Sequence, residues 1–177
     1  MISCPISDIK LIPIEKFEDE RGSIEVLYKS NFPIDFKIVQ LNQSYCKKGT
    51  LKGIHYTSDM SKLIRVISGE IIEIVIDMRK DSPDFLNGYH ITLDKNTGWI
   101  YIPKGFGNCM YFSSDSIVEY LFDVEFLKSE QIYLNIFDKN IKFPYNNIDY
   151  LNNLDRKSLI RSEKDKKGMS VKKWLSL

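Results

Sequence analysis

Ile64-Arg65-Val66-Ile67-Ser68-Gly69-Glu70-Ile71-Ile72-Glu73-Ile74-Val75-Ile76-Asp77 is the stretch that decides the fold class. Two β-branched runs, Ile64–Ile67 and Ile71–Asp77, flank Ser68-Gly69, which predicts two strands joined by a turn. Outward from this pair the same pattern repeats. Val39–Asn42, Tyr89–Leu93, Trp99–Ile102, Met110–Phe112 and Ile117–Val124 read as further strands of ordinary length. Turn signals separate them: Lys47-Lys48-Gly49, Lys80-Asp81-Ser82-Pro83, Lys95-Asn96-Thr97-Gly98, Lys104-Gly105 and Ser113-Ser114-Asp115-Ser116. With no long helical pattern between them, strands at this spacing predict an antiparallel sandwich or barrel. Leu154 to Leu177 is highly charged with scattered apolar residues, and is expected to form a coil and a short helix outside the barrel. The expected architecture is all-β, a jelly-roll barrel forming a single domain over residues 1–177.

At 177 residues the chain suffices for one substantial core. Its 43% hydrophobic and 28% charged residues are ordinary for a globular domain. With 25 basic and 24 acidic residues the formal charge is +1, so neither a nucleic acid polymer nor an acidic membrane is expected as partner. Cys4, Cys46 and Cys109 are an odd set without CxxC spacing and suggest neither a disulfide framework nor a zinc site. No apolar run approaches a membrane span of ~18–20 residues. Met1 to Lys16 has no apolar stretch resembling a secretion signal, so a cytoplasmic location is expected.

Only two histidines are available for chemistry, His55 and His90. They lie on separate candidate strands, with no His-x-His or His-x-x-x-His spacing, so no metal site is expected. Gly-x-Ser-x-Gly, Gly-x-x-x-x-Gly-Lys-Ser/Thr and Gly-x-Gly-x-x-Gly are all absent, which argues against hydrolase, nucleotide-hydrolysing and dinucleotide redox classes and against any cofactor. His90, in Tyr89-His90-Ile91-Thr92-Leu93, reads as an ordinary, partly exposed strand residue. His55 has different company in Lys52-Gly53-Ile54-His55-Tyr56, with Lys62-Leu63-Ile64-Arg65 after a short loop. In a regular strand Lys52 and His55 point to opposite faces, and they share a pocket only if a bend at Gly53 breaks the alternation.

Several short segments, in this order, carry a resemblance. They are Phe17-Glu18-Asp19-Glu20-Arg21-Gly22, Val39-Gln40-Leu41-Asn42-Gln43-Ser44, Leu51-Lys52-Gly53-Ile54-His55-Tyr56 and Lys62-Leu63-Ile64-Arg65-Val66. Gly69-Glu70, Asp77-Met78-Arg79-Lys80-Asp81-Ser82-Pro83, Ile102-Pro103-Lys104-Gly105-Phe106 and Ser162-Glu163-Lys164-Asp165 continue the series. From about Ile12 to Met169 the chain resembles the dTDP-4-dehydrorhamnose 3,5-epimerases and related nucleotide-sugar epimerases, which have the cupin form of the jelly roll. The resemblance implies that His55 is a general base, that Asp165 orients it, and that Lys62 stabilises an enolate oxygen. It further implies that Arg21, Glu20, Lys52, Gln40, Asn42 and Asn108 belong to the substrate site. The set suits proton removal next to a ketone, where charge moving onto oxygen must be met by a fixed cation or donor. A homodimer is implied too, with a strand from Met1–Glu15, carrying Ile9, Leu11 and Ile14, added to the neighbour's sheet.

The departures from the family pattern are specific. Lys52 stands where the family has arginine, keeping the charge but not the planar fork. Asn108 stands where most members have histidine. The family's tyrosine general acid falls on Phe122, or on Leu121 if the preceding turn is one residue shorter, and neither donates a proton. Tyr120 is expected to serve only through a change of strand register. A short loop after His55, Gly107-Asn108 and Ser113-Ser114 resemble the branch acting on GDP-linked 4-keto-6-deoxy-heptoses of bacterial capsule. The implied substrate is thus a GDP- or dTDP-linked 4-keto-6-deoxy sugar, inverted at C3, at C5 or at both. The alternatives are a non-catalytic nucleotide-sugar binder or partner subunit, and a 3,4-ketoisomerase, whose related family carries a second histidine in the strand of His55.

Overall fold

In a computed structural model of the chain, residues 6–29, 31–144 and 154–177 are described. Cys4 and the first residues of the expected N-terminal strand lie outside them. The strands are β1 (Lys10–Ile12), β2 (Glu15–Asp19), β3 (Gly22–Val26), β4 (Gln40–Cys46), β5 (Leu51–Tyr56), β6 (Lys62–Ser68), β7 (Glu70–Asp77), β8 (Gly88–Asp94), β9 (Trp99–Ile102), β10 (Phe106–Phe112), β11 (Ser116–Phe122) and β12 (Ile132–Tyr133). Within residues 154–177 two short helices follow, α1 (Glu163–Lys166) and α2 (Val171–Leu175), where one had been expected. The strands form two five-stranded antiparallel sheets, β1-β9-β6-β11-β4 and β12-β5-β10-β7-β8, and β2 pairs only with β3 as a hairpin. This is the all-β jelly roll expected.

Burial explains the apolar density of the deciding stretch. On β7, Ile71 and Val75 enter the core between the sheets, while Ile74 and Ile76 enter a second core on the outer face. The strand is therefore apolar at nearly every position instead of alternating. The second core is closed by the C-terminal segment, whose Val171 and Trp174 pack with Leu51, Ile54 and Ile76. Bridges from Thr50 to Ile160 and from Leu134 to Met169 tie this segment alongside β5. A third cluster, Ile12, Phe36, Leu63, Trp99 and Leu121, covers the outer face of the first sheet.

The extents of two expected strands need correction. β4 and β10 extend past Val39–Asn42 and Met110–Phe112, because their added residues alternate polar with apolar or contain glycine and lack the β-branched signature. β1 is hydrogen bonded to β9 of its own chain through Lys10–Ile12 and forms an edge of the first sheet. β4 also inverts the usual polarity. Its inward residues are Gln40, Asn42 and Ser44, while Leu41 and Tyr45 are 58% and 61% exposed. Among the described residues no helix is long and apolar enough to cross a membrane.

Candidate active site

A cavity of ≈1070 Å³ lies between the sheets, along the gap left by edge strand β4 and the β5–β12 pair. Its walls include Asn42, Ser44, Lys52, His55, Lys62, Asn108, Tyr120, Phe122 and Asp165. A volume of this order accommodates a ligand the size of a drug or a nucleotide.

The bend expected at Gly53 is present. Asn108 on β10 pairs with His55 and Met110 pairs with Lys52, so two steps of β10 face three of β5. The extra residue restores Lys52 and His55 to one wall. Gly53 has φ +108°, and a Cβ there would stand 2.5 Å from the Asn108 carbonyl oxygen, so glycine is required twice over. His90, by contrast, is on β8 opposite Ile74, outside this wall.

Asp165 is delivered by the first turn of α1. Ser162 caps this helix by accepting a hydrogen bond from the Asp165 amide, and its hydroxyl donates to Asp165 Oδ2 at 2.6 Å. Asp165 Oδ1 is 2.7 Å from His55 Nε2 and accepts from the Gly53 amide at 3.1 Å. Burial raises the Asp165 carboxyl, but hydrogen bonds from His55 and Ser162 outweigh it and hold the group below its ordinary value. Both oxygens of the carboxylate are thus engaged. It fixes Nε2 as the nitrogen turned away from the cavity and leaves Nδ1 as the other ring nitrogen. The Tyr133 ring meets the imidazole edge-on at 5.0 Å and limits its tilt.

A second polar chain crosses the cavity. Lys62 Nζ on β6 donates to Asn108 Oδ1 at 2.7 Å, and Asn108 Nδ2 donates to Glu73 Oε1 at 2.9 Å. Both ends are buried. Burial lowers Lys62 to about 8, against the charge of Glu73, and raises Glu73 to about 8, against Asn108 and Lys62. Glu73 Oε2 has no partner among the described residues. A third chain runs deeper, from Lys52 Nζ to Ser44 Oγ at 3.3 Å and on to Tyr120 Oη at 3.0 Å. Burial pushes the Tyr120 hydroxyl well above its ordinary value, against its hydrogen bond with Ser44.

The remaining expected residues divide. Asn42 lines the cavity, but Gln40 stands behind it, donating to Asn42 Oδ1 at 2.8 Å and accepting from the Phe126 amide at 2.7 Å. Phe122 faces the cavity and stacks between Tyr120 and Phe126. Leu121 belongs to the opposite, outer core, so of the two only Phe122 faces the cavity. Tyr120 needs no change of register to reach the cavity, because two residues along a strand share a face. Glu20 and Arg21 are not brought to this cavity. They sit at the tip of the β2–β3 hairpin, where Arg21 is held by Asp19 and borders a separate hollow of ≈400 Å³. The hairpin pairs with no strand of the barrel, which is why it stands apart.

Glu73, Ser44 and Ser162 were not singled out from sequence. A carboxylate inside the apolar run Ile71–Ile76 and the polar alternation Gln40, Asn42, Ser44 were the signals available. Among the described residues no three His, Cys, Asp or Glu side chains converge as a metal site.

Comparison with known proteins adds a family model described as dTDP-4-dehydrorhamnose 3,5-epimerase, which matches residues 3–173. The chain is 32% identical to a dTDP-4-dehydrorhamnose 3,5-epimerase of Methanothermobacter thermautotrophicus, over 88% of this chain and 85% of that protein. It is also 32% identical to one of Neisseria gonorrhoeae, over 75% of this chain but only 43% of that longer protein. Among solved structures it is similar to a dTDP-4-dehydrorhamnose 3,5-epimerase of Bacillus anthracis with TDP and pyrophosphate bound. The TM-score is 0.78 and the identity 27%, over 93% of this chain and 94% of that one.

Proposed function

The chain belongs to the dTDP-4-dehydrorhamnose 3,5-epimerase family, and from that premise we propose that it inverts a carbon beside the ketone of a nucleotide-linked 4-keto-6-deoxy sugar. The observation that carries this reading is the His55–Asp165 pair on the cavity wall, 2.7 Å apart. His55 Nδ1 takes the α-proton, Asp165 stabilises the imidazolium, and Lys62 meets the charge that develops on the C4 oxygen. Phe122 at the expected acid position restricts inversion to one centre, C3. The nucleotide is GDP or dTDP and the sugar a hexose or heptose, and the product serves surface polysaccharide synthesis in the cytoplasm. The test is NMR of dTDP- and GDP-linked 4-keto-6-deoxy sugars in D₂O. Deuterium enters and inverts C3 with the wild type, and His55→Asn abolishes both. Exchange by His55→Asn near the wild-type rate refutes the mechanism.

The same observations support a homodimer. Leu41 and Tyr45 on β4, and Phe17 and Ile24 on the hairpin at 60% and 67% exposure, are apolar residues turned to solvent. Glu20 and Arg21 keep a substrate role only if that interface carries them to the partner's cavity. A monomer by sedimentation at micromolar concentration refutes the assembly. Phe122 also favours a second reading, a non-catalytic nucleotide-sugar binder. Tight binding without any deuterium entry selects it.

A further inference from the structure

If inversion proceeds, a proton must reach the enolate from the face opposite His55. His55 stands on the β12-β5-β10-β7-β8 sheet, so the donor belongs to the facing sheet, where Phe122 has no proton to give. We propose, resting on the epimerase reading above, that the Lys62 ammonium is the general acid that reprotonates the enolate in this chain.

Three placements support it. Lys62 on β6 is the direct cross-strand partner of Phe122 on β11, and Gln40 completes the row. Lys62 therefore rises from the same level of the cavity as the side chain that replaces the acid. Its Nζ ends 2.7 Å from Asn108 Oδ1, and Asn108 is the strand partner of His55. The ammonium thus rests against Asn108 on the sheet of His55, and it reaches the enolate's other face by swinging back about a stem that belongs to the facing sheet. The hydrogen bond shown for Nζ goes to a neutral amide and not to a carboxylate, so among the described residues no ion pair holds its protons.

Of the other titratable groups around the cavity, Tyr133 pairs with His55 on the base's own sheet, Lys164 lies over the Tyr133 ring, and Glu163 is paired with Lys166. Lys128 and Arg161 also line the wall, and the four deepest groups are worse placed. Tyr120 pairs with Ile64 and Asn42 one row deeper, and its hydroxyl is turned to Ser44 at 3.0 Å and to the Met110 sulfur at 3.6 Å. Lys52 is turned to Ser44, and Glu73 lies behind Asn108. Asp165 lies behind His55. Burial also brings Lys62 to about 8, which makes its ammonium a far better donor near neutral pH than a surface lysine.

The step balances. His55 takes the α-proton, the C–H pair becomes the C=C bond, and the carbonyl π pair moves to oxygen. The ketone then re-forms as the C=C pair takes a proton from Lys62 Nζ on the other face. This leaves the inverted ketone, an imidazolium and a neutral amine. Water takes a proton from the imidazolium and returns one to the amine.

The test separates exchange from inversion in D₂O, with dTDP- and GDP-linked 4-keto-6-deoxyhexose as probes. Wild type couples deuterium entry to inversion. Lys62→Arg keeps a cation at the oxygen but releases no proton at neutral pH. It is expected to exchange with retention, through His55 alone, while inversion falls about 100-fold or more. Phe122→Tyr in the Lys62→Arg background is expected to restore inversion. In the wild type, the ratio of inversion to exchange should fall as pH rises through about 8, the value to which burial brings Lys62. This measurement stands even if Lys62→Arg does not fold. A flat ratio from about pH 6.5 to 9.5, or Lys62→Arg inverting in the wild-type proportion to exchange, overturns the proposal. So does Tyr120→Phe being the variant that uncouples the two. No deuterium entry at all with the wild type refutes the epimerase reading itself, a different result from exchange that is indifferent to Lys62.

Discussion

Replacing Asp165 by Asn removes one charge and leaves the shape of the site. Both carboxylate oxygens accept hydrogen bonds, Oδ1 from Gly53 and Oδ2 from Ser162, with His55 Nε2 also on Oδ1. An amide nitrogen placed at Oδ1 would face the Gly53 N–H. Placed at Oδ2 it faces a hydroxyl that rotates to accept. The amide oxygen therefore stays toward His55, the tautomer is kept, and the loss is the charge alone. Two unit charges about 4 Å apart interact by about 4 kcal/mol at an effective dielectric of about 20. The imidazole side chain is 19% exposed and the carboxylate 4%, so partial screening leaves roughly 2–3 kcal/mol. That amounts to about a 30- to 150-fold loss in the rate of proton abstraction. The assay is deuterium entry at C3 by NMR across a pH range, with thermal melting to check folding. A folded Asp165→Asn protein that exchanges within about threefold of wild type refutes the view that this carboxylate stabilises the imidazolium.

Gly53→Ala is expected to cost at least about 1–3 kcal/mol in denaturant unfolding, since it adds a Cβ at a positive φ against the Asn108 carbonyl. Wild-type stability would contradict the bulge in β5. Phe122→Tyr should raise the wild-type inversion rate or extend inversion to C5, and unchanged product by NMR contradicts the view that this ring limits the reaction. Glu73→Gln tests the buried carboxyl. Its folded pKa is raised to about 8 from 4.5, so it favours the fold below about 4.5 and that contribution is lost as pH rises through about 8. The Gln variant should therefore melt higher than wild type at pH 8 and close to it at pH 4.5. Equal melting differences at the two pH values contradict this.

The β-branched runs made the barrel legible because a strand buried on both faces has little freedom of composition. β7 and β9 read plainly for that reason. β5 did not, because its Gly53 bulge, Lys52 and His55 remove the apolar regularity that announces a strand, and those departures build the site. That His55, Lys62 and Asp165 share one cavity could be read only through family resemblance, since more than a hundred residues separate His55 from the carboxylate beside it. Glu20 and Arg21 were matched by the same resemblance, yet a hairpin that pairs with nothing in its own barrel gives them no place at this chain's cavity. Sequence order says nothing of whether a residue serves its own chain. The parity of β11 was legible in principle. Tyr120 and Phe122 differ by two, so a strand that turns one toward the cavity turns both.

That parity bears on what the substitution at position 122 can mean. A phenylalanine filling space in a disused cavity asks nothing of its neighbours, and the polar groups around it would then carry desolvation costs without return. Here Lys62 is buried beside Phe122 with a neutral amide as its hydrogen-bond partner, and Glu73 is buried with one oxygen unpaired among the described residues. Both are held away from their ordinary protonation equilibria. A cavity kept only for binding gains nothing from a lysine poised to lose its proton. Apolar residues of similar size would serve stability as well or better. Lys62 on one sheet and the His55–Asp165 pair on the other are what proton traffic between two facing sheets requires. A binder that had lost its chemistry should tolerate Lys62→Met with a gain in thermal stability and no change in nucleotide-sugar affinity. A catalyst should lose deuterium exchange with the same change, and a single preparation of that variant, melted, titrated and assayed in D₂O, distinguishes the two.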